Sequence, residues 1–244
     1  MMFDQSLLPI ISKRYWSSLR LRMRSGLGAI FPELRLRFLV GKGVAIKTQT
    51  SIVQRLTLFN VAKSCVQIGR FIEVGSYLGA TSIVLAAAMQ GARGGKVYCI
   101  DTWENDSMSE GKWNTWEAFC QNTRDWEKYI VPIVGKSALV NLPFEGQADL
   151  VFIDADHSYK GVTDDIHRFG NLVREDGYLV LHDHAYYPTV TLALGELLRA
   201  GGWYVSLSVE NIIFLKRNIG WHAHRNDPNV ISSLLTDSAM NEAH

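Results

Sequence analysis

Residues able to bind a ligand or move a proton stand at the ends of five short apolar runs. These polar ends are Glu73 with Gly75, Asp101, the Gly135–Lys136–Ser137 run, Asp154, and His182 with Asp183. Ligands of an open parallel sheet bind at the carboxyl ends of its strands. If the five runs are neighbouring strands, their polar ends meet, and we predict a binding site there because a packed sheet end needs far less polarity.

The elements that must position these residues alternate between β-like and helical runs from residue 51 onwards. Such alternation is typical of a doubly wound α/β sheet. Two more apolar runs, 203–209 and 211–216, have almost nothing between them, and so short a gap permits only an antiparallel hairpin. The sequence therefore predicts a Rossmann-like sheet of seven strands whose last pair is a hairpin. A helix is predicted from about Lys160 to Arg174.

Length and composition indicate one large domain with an appendage in these 244 residues. We divide the chain into a basic N-terminal helical extension (1–50), the α/β domain (51–217) and a polar C-terminal tail (218–244). Apolar residues make up 47% of the chain and charged residues 20%, which excludes a disordered protein.

The sequence has no clear signal for membrane insertion, secretion or disulfide formation. No apolar run reaches the roughly 18 residues of a membrane span, and no cleavage pattern of a secretory signal follows the N-terminus. The three cysteines have no CxxC spacing, which argues against a disulfide framework or a zinc ribbon. A cytoplasmic location is therefore expected.

The charge of the chain is unevenly distributed. Residues 1–50 contain nine basic and two acidic residues, whereas the remainder contains 16 basic and 22 acidic residues. A basic arm could contact the periphery of an anionic membrane, an acidic protein or a phosphorylated substrate. The alternative is a solvated helical extension that docks on its own domain. A nucleic-acid partner is not expected, because the acidic body would repel phosphates.

The loop from Gly75 to Gly79 differs from the dinucleotide-binding pattern G-x-G-x-x-G. Tyr77 and Ala80 occupy the positions of its second and third glycines. Tyr77 leaves no room for a pyrophosphate and Glu73 would repel one, which disfavours an NAD-dependent oxidoreductase. A ligand carrying an ammonium and a sulfonium suits such a pocket better. A tight strand-to-helix turn without a ligand remains the alternative.

Two of the acidic ends have competing interpretations. Asp101 lies 26 residues after Gly75, where a carboxylate can accept the hydroxyls of a ribose, but it could instead cap the segment that follows. His182 and His184 flank Asp183, so a transition-metal site of two histidines and one carboxylate is also an alternative.

The stretch from residue 71 to about 216, roughly 60% of the chain, resembles the class I S-adenosylmethionine-dependent methyltransferases. It is most similar to the methyltransferase 24 family and to the metal-dependent O-methyltransferases of the catechol and caffeoyl-coenzyme A type. The first fifty residues have no counterpart. The matching motifs are FIEVGSYLGATS (71–82), YCIDTW (98–103), GKS (135–137), DLVFIDADHSYKGVTDDI (149–166) and GYLVLHDH (177–184).

The resemblance implies S-adenosylmethionine as cofactor and a set of residues that bind it. Asp101 is expected to hold the ribose. The methionine half would be lined by Glu73, Gly75, Ser76 and Tyr77 with Thr81, and the adenine bordered by Trp103, Lys136 and Ser137. A Trp-rich segment would form a lid through Trp103 and Trp113, whereas the helical spacing of Trp116, Phe119 and Trp126 favours core packing.

The resemblance also implies a divalent cation, usually Mg²⁺, at Asp154 and Asp183, with His157 as the general base. His182 stands where relatives more often have a carboxylate, so the site could favour a softer ion. A bound cation lowers the pKa of an alcohol by several units, and a histidine with a pKa near 6.5 can take its proton. His157 as a purely structural hydrogen-bonding group is the alternative.

These inferences predict an S-adenosylmethionine-dependent O-methyltransferase. The acceptor would be a hydroxyl of a small molecule or a glycan, the latter suggested by the resemblance alone. A second copy of the chain is the expected protein partner. The alternative is a catalytically silent cofactor-binding module that the basic arm recruits to a membrane or a larger enzyme.

Overall fold

The computed structural model describes residues 31–105 and 111–220, which fold around one seven-stranded sheet. The strands are β1 (Arg70–Val74), β2 (Lys96–Asp101), β3 (Ile130–Val134), β4 (Ala148–Ile153), β5 (Val173–Leu181), β6 (Trp203–Val209) and β7 (Ile212–Arg217). The helices are α1 (Pro32–Val40), α2 (Ile52–Cys65), α3 (Ala80–Ala88), α4 (Trp116–Thr123), α5 (Tyr159–Gly170) and α6 (Pro188–Ala200), with short 3₁₀ helices at Gly41–Ala45 and Arg124–Trp126.

The strand order is β3-β2-β1-β4-β5-β7-β6. The first five strands are parallel, and β7 runs antiparallel to both β5 and β6. This confirms the predicted Rossmann-like sheet with its closing hairpin. The chain reverses its direction of winding between β1 and β4, and the carboxyl ends of strands at such a switch point are where α/β sheets bind ligands.

Helices cover both faces of the sheet, because the strand side chains alternate between two cores. Phe71 packs with the buried residues of α1 to α4, whereas its neighbour Ile72 packs with those of α5 and α6. The central strand β4 is buried along its whole length. This arrangement is the doubly wound fold and leaves the strand ends as the place for polar residues.

Part of the basic extension packs on the domain. Helix α1 begins with Pro32 at its first turn, a position that tolerates the missing N–H. Leu36 and Val40 are buried against the core that contains α2 and α3, while Phe38 is 90% exposed. The rest of the extension (1–30) and most of the predicted tail (221–244) lie outside the described residues.

The predicted helix from Lys160 to Arg174 is too long at its C-terminal end. It ends at Gly170, and β5 begins at Val173, which pairs with Ala148 of β4. Arg174 donates from Nε to the buried Asp149 carboxylate at 2.6 Å, which holds this segment in the sheet. Among the described residues, every helix is too short or too polar to cross a membrane.

Candidate active site

A cleft with a volume of about 350 Å³ lies beyond the carboxyl ends of β1 to β4. Known small-molecule sites have volumes of roughly 300–1,000 Å³. The cleft brings together several residues that the sequence nominated from distant positions. Its lining includes Gly75, Tyr77, Asp101, Lys136, Ser137 and Asp154.

Gly75 carries the chain from β1 across the end of β4. Its φ of +85° is the left-handed conformation that favours glycine. Its N–H donates to the carbonyl of Ile100 at 2.9 Å. A Cβ at this position would overlap the carbonyl oxygen of Asp154 and lie 3.1 Å from Cα of Ala155. The close approach of two backbones therefore requires glycine here.

Asp101 organises the loop that follows Gly75. Its Oδ2 accepts the backbone N–H groups of Ser76 and Tyr77, both at 2.8 Å, and its Oδ1 accepts the N–H of Trp103 at 2.7 Å. An ionised carboxylate has about four acceptor positions, so one is left on Oδ1. The contact with Trp103 resembles the capping alternative, but the structure also places Asp101 in the cleft wall.

Glu73 and Thr81 lie beneath the loop and do not line the cleft. Glu73 is fully buried, and its Oε2 accepts hydrogen bonds from the hydroxyls of Ser76 and Ser82. Burial raises the pKa of Glu73, although these hydroxyls act in the opposite direction. Thr81 is buried in the first turn of α3. All three of Glu73, Ser76 and Thr81 therefore support the loop from within the core.

Trp103 is also placed away from the predicted adenine site. Its indole is only 1% exposed and packs against Trp116 and Phe119, with ring centroids 4.8 and 4.7 Å away. Its Nε1 donates to the carbonyl oxygen of Tyr77 at 3.1 Å. The positive φ of Trp103, +52°, turns its side chain into the core. Trp113 is 42% exposed and meets the ring of Tyr77 edge-on at 6.3 Å.

A cluster of two carboxylates and two imidazoles adjoins the cleft at the ends of β4 and β5. His182 Nδ1 lies 3.3 Å from Oδ1 of Asp154 and 3.2 Å from Oδ1 of Asp183. His157 Nε2 lies 3.2 Å from Oδ2 of Asp183 and 3.8 Å from Oδ1 of Asp154. Asp154 belongs to both the cleft and the cluster, so the two form one continuous site.

The surroundings of His182 fit a cation at this point. Its Nε2 lies 3.4 Å from Oε1 of Gln54, and that oxygen is an acceptor because it already receives the backbone N–H of Ser51. The Nε2 atom therefore carries a proton, and Nδ1 faces the two carboxylate oxygens, where its lone pair would be available to a bound cation. Nδ1 makes no hydrogen bond. Ligand atoms of Asp154, His182 and Asp183 lie within 4.8 Å of one another, a set suited to a divalent cation.

The carboxylates and imidazoles of the cluster shift one another's pKa values. Burial lowers the pKa of His157, but the Asp154 and Asp183 carboxylates outweigh it and raise that pKa to about 9. Burial also lowers the pKa of His182, but the same two carboxylates raise it to about 10. Burial acts to raise the pKa of Asp183, yet the adjacent imidazoles of His157 and His182 hold it well below its usual range. Without a cation, protons on the histidines balance the carboxylates.

His184 lies apart from this cluster. Its Nε2 is 3.2 Å from Oγ of Ser208, and burial together with the nearby His182 lowers its pKa to about 4. The alternative site of two histidines and one carboxylate is therefore not assembled. The observed group has two carboxylates and one histidine, with Asp154 in the place that the alternative gave to His184.

Sequence reasoning missed residues that hold the cluster in place. Asn211 donates from Nδ2 to Oδ1 of Asp183 and accepts a hydrogen bond from Nε2 of Gln54. Tyr187 stacks on the His157 ring at 4.0 Å with parallel planes. Gln54 could have been noticed as the last residue of an S-x-x-Q capping box that starts at Ser51, but nothing in the sequence connects that box with His182.

Comparison with known proteins agrees with the fold. Residues 72–184 match the family model of the Methyltransferase domain, Methyltransf_24. This segment contains the glycine loop, Asp101, His157 and the whole Asp154–His182–Asp183 group.

Solved structures of similar fold include three O-methyltransferases. NovP has a TM-score of 0.59 and 13% identity, over 78% of this chain and 99% of that one. The Bacillus cereus enzyme in complex with SAH has a TM-score of 0.54 and 12% identity, over 84% and 99%. TomG from Streptomyces achromogenes, in complex with SAM, has a TM-score of 0.53 and 17% identity, over 86% and 99%.

The family model covers the polar residues at the carboxyl ends of β1 to β5. The chain therefore has the fold of these O-methyltransferases, and residues 72–184, just under half of its length, match the methyltransferase 24 domain model.

Proposed function

We propose that the protein transfers a methyl group from S-adenosylmethionine to a hydroxyl of a small molecule or glycan, assisted by a divalent cation. The observation that carries this proposal is the shared position of Asp154. It lines the cleft together with Asp101 and Tyr77, and it also belongs to the cluster with His182 and Asp183. A methyl donor in the cleft would thus lie beside a group that can orient an oxygen.

In the proposed complex the cofactor occupies the cleft beside the glycine loop. The remaining acceptor position on Asp101 Oδ1 would take one ribose hydroxyl. Lys136 and Ser137 would border the adenine, and Tyr77 would contact the methionine half. SAM and SAH in complexes of two proteins with this fold support the choice of ligand.

Asp154, His182 and Asp183 would hold the cation, for which Mg²⁺ is one candidate. An imidazole among the ligands also suits Mn²⁺ or softer ions, because Mg²⁺ prefers oxygen donors. A bound divalent cation would lower the pKa of the acceptor hydroxyl and orient its oxygen. Gln54 and Asn211 would keep His182 and Asp183 in the binding orientation, since such outer contacts fix ligand geometry.

His157 is the proposed general base. Stacking on Tyr187 and a hydrogen bond from the Thr189 hydroxyl to its carbonyl oxygen hold its position. With both carboxylates unneutralised its pKa is about 9, so it is protonated at neutral pH and cannot accept a proton. Its role as base therefore requires that positive charge at Asp154 and Asp183 lowers this pKa, which links proton transfer to cation binding.

The test combines calorimetry with turnover. Calorimetric titration of S-adenosylhomocysteine should show binding to the wild type and binding about 10- to 100-fold weaker to Asp101→Asn, as expected for a lost hydrogen bond to a charged group. Radiolabelled methyl transfer to a panel of hydroxylated acceptors should stop in EDTA and return on adding Mg²⁺ or Mn²⁺.

Asp176→Asn is the matched control, since this exposed residue pairs with Lys216 far from the cleft. It should leave affinity and turnover unchanged. Full turnover in EDTA would reject the cation, and absence of S-adenosylhomocysteine binding would reject the proposed function.

A further inference from the structure

Helix α1 has apolar residues on two sides, and one side packs on the domain. Leu36 and Val40 are buried in the core that contains α2 and α3. Arg35 donates from Nη2 to Oδ1 of Asn60 on α2 at 2.9 Å. Together these contacts fix the rotation of α1 about its axis, so the opposite side of the helix is held towards solvent.

The solvent-facing side carries Phe31, Leu34 and Phe38, which we call the α1 apolar face. Their spacing of three and four residues places them on one side of a helix. They are 51%, 60% and 90% exposed. These fractions amount to about two whole side chains, or roughly 300–500 Å² of apolar surface. Exposed apolar residues scattered singly are normal, whereas contiguous patches of this size often mark an interaction site.

Basic residues accompany this face. Arg37 immediately precedes Phe38 and Lys42 follows it by four residues, and both are exposed. Residues 31–50 contain four basic residues and one acidic residue, Glu33. The preceding residues 1–30, which lie outside the described part of the chain, contain five basic residues and one acidic residue. An apolar helix face bordered by Lys and Arg is typical of segments that lie on anionic lipid.

We propose that α1 docks on an anionic lipid surface, with the α1 apolar face among the lipid headgroups and upper acyl chains and with Arg37 and Lys42 beside the anionic groups. The charge of the rest of the chain sets the orientation. Residues 51–244 contain 16 basic and 22 acidic residues, so an anionic surface repels this part of the protein. The side that carries α1 therefore faces the lipid.

A second copy of the chain fits the α1 apolar face less well. In a two-fold interface the same patch meets itself, which would bring together the basic residues of both copies. Like charges across an interface are costly. The face is also smaller than the surface of about 800 Å² per partner that a stable interface buries.

The test is flotation of the full-length protein with vesicles of phosphatidylcholine alone or of phosphatidylcholine mixed with phosphatidylserine. The wild type should bind only the vesicles that contain phosphatidylserine, and less at high salt, which screens the attraction. The double variant Leu34→Ser/Phe38→Ser should bind at least about tenfold more weakly, because it removes most of the apolar face. Arg37→Gln should bind about fivefold more weakly, as expected for the loss of one cation near the lipid.

Helix α6 supplies matched controls, because it packs on the opposite face of the sheet. Leu192 is 50% exposed, and Arg199 is also exposed. Leu192→Ser and Arg199→Gln make the same chemical changes there and should leave vesicle binding unchanged. The urea midpoint of Leu34→Ser/Phe38→Ser should equal that of the wild type, since the replaced side chains face solvent.

Equal binding of the wild type to both kinds of vesicle, or binding to neither, would overturn the inference. Vesicle binding that survives in Leu34→Ser/Phe38→Ser would also overturn it, as would an equal loss in the α6 variants. A dimer in sedimentation equilibrium that dissociates in the double variant would identify a second copy as the occupant of the face instead. A lower urea midpoint of the double variant would show that the face is covered within the chain itself, which likewise contradicts docking on lipid.

Discussion

Replacing Gly75 with alanine tests whether the glycine loop must lie directly on the end of β4. The added Cβ would overlap the carbonyl oxygen of Asp154 and lie 2.6 Å from the carbonyl carbon. Both are backbone atoms. This backbone is held in place because the N–H of Asp154 donates to the carbonyl oxygen of Val74 at 2.8 Å. The loop must therefore move away from the strand.

Two effects of the Gly75→Ala substitution lower the free energy of unfolding. A non-glycine residue in the left-handed region costs about 1–2 kcal/mol, and Gly75 has a φ of +85°. Overpacking against fixed neighbours costs a further 1–3 kcal/mol or so. We expect Gly75→Ala to lower the free energy of unfolding by roughly 2–5 kcal/mol as the sum of these two terms. Moving the loop also pulls the Ser76 and Tyr77 amides away from Asp101, so affinity for S-adenosylhomocysteine should fall.

Gly91→Ala is the matched control. Gly91 has nearly the same φ, +88°, but a Cβ built there meets nothing within 4 Å. Urea denaturation should show a loss of about 1–2 kcal/mol for this variant from backbone strain alone, with unchanged ligand affinity. If Gly75→Ala is no more destabilising than Gly91→Ala, the close contact between the loop and β4 is not real.

Two further predictions concern buried polar contacts. Asp149→Asn should cost about 3–5 kcal/mol at pH 7, because it leaves Arg174 without its buried partner. Although burial raises the pKa of Asp149, hydrogen bonds from Arg174 and from backbone amides lower it more, so the folded pKa is depressed. The contribution of this carboxylate is then complete above the unfolded pKa of about 3.9, and denaturation curves of wild type and variant should converge as the pH falls below that value; a constant difference down to pH 2 would contradict it. Gln54→Leu should weaken Mn²⁺ binding about 10- to 100-fold in electron paramagnetic resonance titrations while leaving S-adenosylhomocysteine affinity unchanged, and equal Mn²⁺ affinity would remove Gln54 from the support of His182.

The sheet and the meeting of its polar ends were predictable because they follow from local patterns. Apolar runs with polar ends mark parallel strands, and the short gap before Ile212 permits only a hairpin. Once the strand order is assigned, Asp101, Asp154 and Asp183 must lie at one edge. The predicted helix extended past its true end at Gly170. Arg174 instead lies in β5, where it donates to Asp149, a residue 25 positions away in the sequence.

The orientation of individual side chains was less predictable. Glu73 shares a strand face with Phe71, so the period of two already indicates that it points into a core. Trp103 turns inward through a positive φ that its residue type does not favour. Asn211 reaches Asp183 from the turn between β6 and β7. Such contacts depend on tertiary packing, which periodicity alone does not reveal.

The proposed function requires a methyl donor in the cleft and a cation beside it. Crystals grown with S-adenosylhomocysteine and Mn²⁺ test both together. We expect ligand density with a ribose hydroxyl at Asp101 and an anomalous peak coordinated by Asp154, His182 and Asp183. Mn²⁺ bound elsewhere, or a ligand outside the cleft, would contradict the proposed function.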